Sequence, residues 1–269
     1  AALVSDELAN VKKATGLTPA EVEALNGQLR NLDTRTATSQ LREIAVGLGQ
    51  AGVAATSVNV DAIDKIVVVL GDEFGANGTE IANTLSVLRN NLNDLKTGDY
   101  GADVMAIGNA LNELGANGLA TAPVVSDIAN RIAGVAGTFR VTSGEIFGTA
   151  ATFQELGINT ERGSTAYIKI LQRMAAEPAK FADVVRRAGL DANGFTQDLN
   201  ENMQRAFITI ARAAQTAGAE NTEFAAILKE LDADGAGISE LLSKIGTNSG
   251  LLEEKTALAT EALQSNTSI

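Results

Sequence analysis

Apolar positions recur at three and four residues along almost the whole chain. Val22, Leu25, Leu29 and Leu32 keep this spacing, as do Ile81, Leu85, Leu88, Leu92 and Leu95. Phe207, Ile208, Ala211 and Ala214 continue it late in the chain. Residues three and four apart share one face of an α-helix, so each set predicts a helix with an apolar stripe. The one β-like run, Ile66-Val67-Val68-Val69-Leu70, lies inside a longer helical pattern from Val60 to Phe74 and reads as a buried helix.

Start and stop signals agree with the periodicity. Thr18-Pro19-Ala20-Glu21 is a capping box with proline at the first helical position, where its missing N–H costs nothing. Thr142-Ser143-Gly144-Glu145 and Asn77-Gly78-Thr79-Glu80 repeat the cap-plus-Glu arrangement. Gly16, Gly75, Gly98, Gly115, Gly157, Gly189 and Gly218 each follow a periodic segment and predict helix ends. Together these signals predict an all-α compact bundle of roughly a dozen helices, each about 10–18 residues long.

The junctions between helices look alike. Glu73-Phe74-Gly75-Ala76-Asn77-Gly78 resembles Glu113-Leu114-Gly115-Ala116-Asn117-Gly118, and Glu155-Leu156-Gly157-Ile158-Asn159 is a third relative. Gly49-Gln50-Ala51-Gly52-Val53 is a looser fourth. A helix–turn–helix unit at a period of about 40 residues suggests stacked helical hairpins. The alternative is that Gly and Asn are simply good helix terminators, present in any all-α chain. Glu177-Pro178 follows a long helix and precedes a more charged stretch. It divides an N-terminal helical region, 1–176, from a C-terminal one, 177–269, unless the two form one domain.

Composition narrows the function. The chain of 269 residues carries 33 acidic and 21 basic side chains, a net charge of −12, which does not suit a nucleic-acid binder. It has no His and no Cys. That removes imidazole catalysis, thiol nucleophiles, disulfides, iron–sulfur clusters and the usual zinc sites. With 8 Phe, 2 Tyr and no Trp, stacking platforms for sugars or bases are not expected. The first residues, Ala1 to Asn10, include charges where a signal peptide needs an apolar run, and they lack an initiator Met. The chain therefore reads as a piece of a longer protein or a processed product. The uncharged stretch from Ile44 to Val60 is too short and too rich in Gly and polar residues to span a bilayer.

Candidate motifs fail on context. Gly47-Leu48-Gly49-Gln50-Ala51-Gly52 matches a dinucleotide fingerprint on paper, but a helix from Leu41 to Leu48 precedes it where a strand is required. Asp232-Ala233-Asp234-Gly235 followed by Glu240 hints at a calcium loop. Register from Gly235 puts the bidentate acid at position 241, which is Leu241, so a capped helix break is expected instead. Gly71 to Gly75, Gly144 to Gly148 and Gly246 to Gly250 have small-xxx-small spacing, and their polar interiors point to close packing or turns. Arg186-Arg187 with Lys180 is a basic cluster expected on a solvated face near a helix C-terminus. No catalytic, cofactor-binding or metal-binding residue is assigned, no cofactor is expected, and the chain is not expected to be an enzyme.

The order of several short segments resembles the core region of phage tail tape-measure proteins. These are Asn109-Ala110-Leu111-Asn112-Glu113-Leu114-Gly115, Gly118-Leu119-Ala120-Thr121-Ala122 and Arg131-Ile132-Ala133-Gly134. They continue with Glu145 to Phe153, Leu156-Gly157-Ile158, Glu161-Arg162-Gly163-Ser164-Thr165-Ala166 and Leu171-Gln172-Arg173-Met174. Leu29-Arg30 and Gly49 to Val53 upstream, and Phe181-Ala182 and the Asp232 to Ile238 turn downstream, fit the same family. One departure is Arg140-Val141-Thr142, where that family more often carries Gly-Leu-Ser; the difference bears on turn geometry.

The resemblance implies a structural virion protein of the tail lumen or tip that takes part in tail assembly, length determination and genome delivery across the host envelope. It also implies partners: tail tube and tail-tip proteins, other copies of itself, and a transient host membrane contact. Specific nucleic-acid binding is not expected. Two other classes remain open. One is a helical-repeat binding scaffold. The other is a membrane-active helical module built on weakly amphipathic, Gly-rich helices such as Val124 to Phe139.

Overall fold

The computed structural model describes residues 2–217 and 235–265, and single positions 226, 228, 229, 268 and 269. Fourteen α-helices fall among these residues, and no strand does. They are α1 (Ala2–Thr15), α2 (Pro19–Arg30), α3 (Thr38–Gln50), α4 (Ser57–Phe74), α5 (Gly78–Asn91), α6 (Tyr100–Ala116) and α7 (Ala122–Ala136). Then come α8 (Ser143–Glu155), α9 (Thr160–Ala176), α10 (Pro178–Arg187), α11 (Ala192–Glu201), α12 (Met203–Ala217), α13 (Ala236–Thr247) and α14 (Ser249–Gln264). Lengths run from 10 to 18 residues, so the all-α bundle and its short helices are as the apolar spacing predicts. The valine-rich run 66–70 lies within α4.

The capping boxes form as expected. Thr18 accepts from the Glu21 N–H and Glu21 accepts from the Thr18 N–H, and Thr142 and Glu145 do the same at α8. Asn77 caps α5 by accepting from the Glu80 N–H at 3.0 Å. Two of the three similar junctions also share a geometry. Gly75 and Gly157 both sit at positive φ, +59° and +64°, and Asn77 and Asn159 cap the helices that follow. The junction between them differs. Gly115 lies inside α6, because Asn117 ends that helix instead: its backbone N–H and its side-chain amide both bond the Glu113 carbonyl.

One further end departs from the expected position. α5 stops at Asn91, and Leu95 belongs to a short 3₁₀ turn, Asn93–Leu95, with Gly98 in the loop beyond it. The break lets Asp94 accept from the Ser143 N–H (2.8 Å) and hydroxyl, so an acid 49 residues away caps α8. Arg140 has φ +61°, the one non-glycine residue at positive φ among the described residues, and it stands where the resembled family more often has Gly. Gly218 lies outside the described residues.

The most extensive contact is between α8 and α14, and helices two apart in sequence also pack heavily. α1, α3, α5, α7 and α9 form one row, extended by α13 and then α12. α2, α4 and α6 begin a second row across from the first, while α7 and α8 join the two rows by an extensive contact. Neighbours two apart are what stacked hairpins produce. The second row has an insertion: α14 lies between α6 and α8, which scarcely touch one another. One apolar cluster runs from Val11 to Ala262 and draws on helices from both sides of Glu177–Pro178. Its largest members, Phe147, Phe153, Tyr167, Phe181, Phe195 and Phe207, gather around α8 to α12.

Candidate functional site

The most elaborate set of contacts surrounds α14. Gly144 and Gly148 of α8 face Thr260 and Thr256, so the two helices cross with little side chain between them. Lys255, 2% exposed, places its Nζ 2.8 Å from Glu155 Oε1 and donates to the Asn117 carbonyl at 2.6 Å. A cation is well placed there, against a carboxylate and the carbonyl end of α6. Gly118 makes room for the pair, since a Cβ on it would lie 1.8 Å from Glu155 Oε1. Beyond α14, Asn109 donates to the Ser265 carbonyl at 2.7 Å. Asn112 donates to Ser268, whose hydroxyl donates to Glu113 at 2.8 Å. Only Leu252, Ala259 and Ala262 join Lys255 as fully buried residues of α14. Leu258 and Leu263 pack against the core as well, so polar and apolar contacts together attach it.

Other buried charges tie helices within the rows. Arg89 of α5 donates through Nε and Nη2 to one oxygen of Asp103 on α6, at 2.9 and 2.7 Å. The other oxygen accepts from the N–H and hydroxyl of Thr97. Arg42 of α3 pairs with Glu7 of α1 and donates to Asn26 of α2 at 3.0 Å. Tyr167 donates to Gln204, which donates to Thr149 at 2.8 Å, while Phe153 and Phe207 meet the Tyr167 ring edge-on. Burial pushes the Tyr100 hydroxyl up to about 12, with the Ser86 bond and the Arg89 charge pulling the other way. Burial also pushes Tyr167 well above the ordinary range, helped by the charge of Glu145.

Gly47 and Gly49 lie inside α3, where a Cβ would meet the Thr79 carbonyl at 2.3 Å and the Ala14 carbonyl at 2.6 Å. The apparent fingerprint is where α5 and α1 cross α3. Gly144 and Gly148 pack as the small-residue spacing suggests, and Gly246 packs against the Ala211 carbonyl of α12. Asp232, Ala233 and Asp234 of the calcium-like run lie outside the described residues; Glu240 beside it pairs with Lys244 at 3.2 Å. Arg186 and Arg187 pair with Asp183 on the exposed face of α10, and Lys180 with Glu177. Val124 to Phe139 lies in α7 and the 3₁₀ turn after it, with Val125, Ile128, Ile132 and Ala136 fully buried.

Sequence reasoning missed the Lys255, Arg89 and Arg42 contacts. A signal existed for Arg42, which adjoins the stripe Leu41, Ile44, Ala45 and Leu48. Clefts lie beside the charged ties. One of about 740 Å³ between α1 and α3 is lined by Glu7, Lys13, Arg42 and Glu43, charges of both signs. Among the described residues, no three metal-ligating side chains converge, and no helix is long and apolar enough to cross a membrane. What these groups do chemically is lock one helix to another.

Charge divides between the rows. α2, α4, α6, α8 and α14 carry 13 acidic and 3 basic side chains, a balance of −10 out of the −12 of the chain. α1, α3, α5, α7 and α9 carry 6 acidic and 8 basic ones, a balance of +2. No curated protein and no solved structure matches the chain. A family model described as phage-related minor tail protein matches residues 27–232.

Proposed function

The chain belongs to the phage-related minor tail protein family, and from that premise we propose how it serves the tail. It is a structural part of a phage tail. In our reading it sits in the tail lumen or at the tip, acts in tail assembly and in genome delivery across the host envelope, and has no catalytic role. Its partners in this reading are tail tube and tip proteins and other copies of itself, with a transient contact to the host membrane.

The division of charge between the two helix rows supports this arrangement. Asp64 and Asp103 are buried, but Glu21, Glu23, Asp72, Glu73, Glu253, Glu254 and Glu261 of this row are exposed, and their charge repels the phosphates of DNA, so the row suits a surface past which a genome moves without sticking. The near-neutral row suits contact with protein. Tail length is a property of the assembled protein in this reading, and these residues are not the ruler. The longest helix among the described residues has 18 residues, about 27 Å at ~1.5 Å per residue, and the helices pack side by side in rows.

Charge reversal tests the assignment. Replacing exposed Glu23, Asp72, Glu254 and Glu261 of the acidic row by Lys should leave tail assembly intact and slow genome ejection. Particles that eject DNA at the normal rate, or that fail at assembly, would contradict it.

A further inference from the structure

We infer that Gly246 to Gly250 is a hinge through which α14 exchanges between two copies of this chain. α13 and α14 are separated by one residue, Asn248, whose φ of −119° and ψ of 30° are the only departure from a continuous helix. Its N–H still bonds the Lys244 and Ile245 carbonyls, and its own carbonyl accepts from Leu251 and Leu252. The two helices nevertheless part company: α13 packs on α12 and α9, while α14 crosses to lie between α6 and α8. Bringing Asn248 to helical angles would fuse residues 236–264 into one helix of about 43 Å and withdraw α14 from its slot.

The residues at the break suit this change. Gly246, Thr247, Asn248, Ser249 and Gly250 are all weak helix formers, so the bent form is not opposed by strong local preference for a straight one. A Cβ on Gly250 would meet nothing within 4 Å, so that end of the hinge has room to move. The slot itself is specific. It is narrow at Gly144 and Gly148, charged at Glu155, and lined further along by Asn109 and Asn112. Only a helix with small residues at positions 256 and 260, a Lys at 255 and the following Ser265 and Ser268 satisfies it. The α14 of a second copy meets that description in full, and reciprocal exchange recreates every contact in the slots of both chains. Residues 236–264 lie beyond the span matched by the family, so this device is read from the chain itself.

The Lys255–Glu155 pair supplies a direct test on the purified chain. Lys255→Glu and Glu155→Lys each set like charges against one another when α14 stays in its own slot. Mixing the two variants lets reciprocal exchange restore opposite charges in both slots. One slot then holds the two substituted side chains, and the other holds the native Lys255 and Glu155. The expected result is a heterodimer near twice 27.8 kDa by native mass spectrometry, formed by the mixture and by neither variant alone. The double variant in one chain restores the pair in its own slot and should be monomeric. A mixture that stays monomeric overturns the proposal. Should either single variant lose its helical circular dichroism, Asn248→Ala with Gly250→Ala decides instead. Straightening the hinge should raise the dimer fraction of the otherwise unchanged chain roughly tenfold, and an unchanged fraction overturns the proposal.

Discussion

A Cβ on Gly148 would lie 2.6 Å from both the Cα and the backbone nitrogen of Thr256, so the backbones of α8 and α14 are in direct contact. The Thr256 hydroxyl, at 2.5 Å, can turn aside, but these two backbone atoms cannot. At Gly144, one turn earlier, the nearest atom to an added Cβ is the Thr260 hydroxyl at 2.1 Å, the end of an exposed side chain.

The two glycines should therefore respond differently to alanine. Gly148→Ala forces α14 outward, at a cost of about 2–3 kcal/mol in urea unfolding, and should make α14 the first site of proteolysis. Gly144→Ala should cost less than half as much, because Thr260 can turn and alanine favours the helix by about 1 kcal/mol over glycine. Equal costs at the two positions would show that backbone contact is not what limits this crossing.

Arg89 provides the cation for an Asp103 side chain with no exposed surface. Arg89→Met keeps most of the aliphatic length and strands the carboxylate with the Thr97 N–H and hydroxyl alone. Removing one partner of such a pair typically costs about 3–5 kcal/mol, and the partial exposure of Arg89 places the expected loss near the lower figure, about 3 kcal/mol. Asp103→Asn with Arg89→Met should recover a large part of it. A double variant no more stable than Arg89→Met would count against a stranded charge as the cause.

Both tyrosines should resist ionisation while the protein is folded. Tyr100 is raised to about 12 from an ordinary value of 10.0, so its neutral form stabilises the fold fully below pH 10. That contribution is lost as pH rises from 10 through 12. Tyr167 is raised in the same direction by its complete burial. Tyrosinate absorbance should therefore stay near zero to about one unit above the ordinary value and then appear together with the loss of helical dichroism. Half-ionised tyrosine at pH 10 in the folded protein would contradict the buried placement of both rings.

What the sequence revealed of this fold follows the range over which each device acts. The boxes at Thr18 and Thr142 were legible because donor and acceptor are three residues apart. The end of α6 was misplaced because Gly115 and Asn117 both carry stop chemistry, and the side-chain bond from Asn117 to Glu113 decided between them. Asp94 capping Ser143 was invisible, since its partner is 49 residues away and nothing in the local pattern marks an acid as a remote cap. The α14 slot was harder still. The spacing of Gly144 and Gly148 announces a close approach but not to what, and Lys255 reads as a solvated residue until Asn117, 138 positions earlier, is set beside it.

The central claim, that these residues act in the tail as a folded body and not as a measured length, is tested most directly by the tail lengths of particles lacking α9. Deleting Thr160–Ala176 removes 17 residues, Tyr167 and its aromatic partners' contacts among them. A linear helical ruler would lose about 25 Å at ~1.5 Å per residue. Electron microscopy should show failed assembly, or tails of unaltered length on particles that do not deliver their genome. Infectious particles whose tails are shorter by about 25 Å would contradict the account.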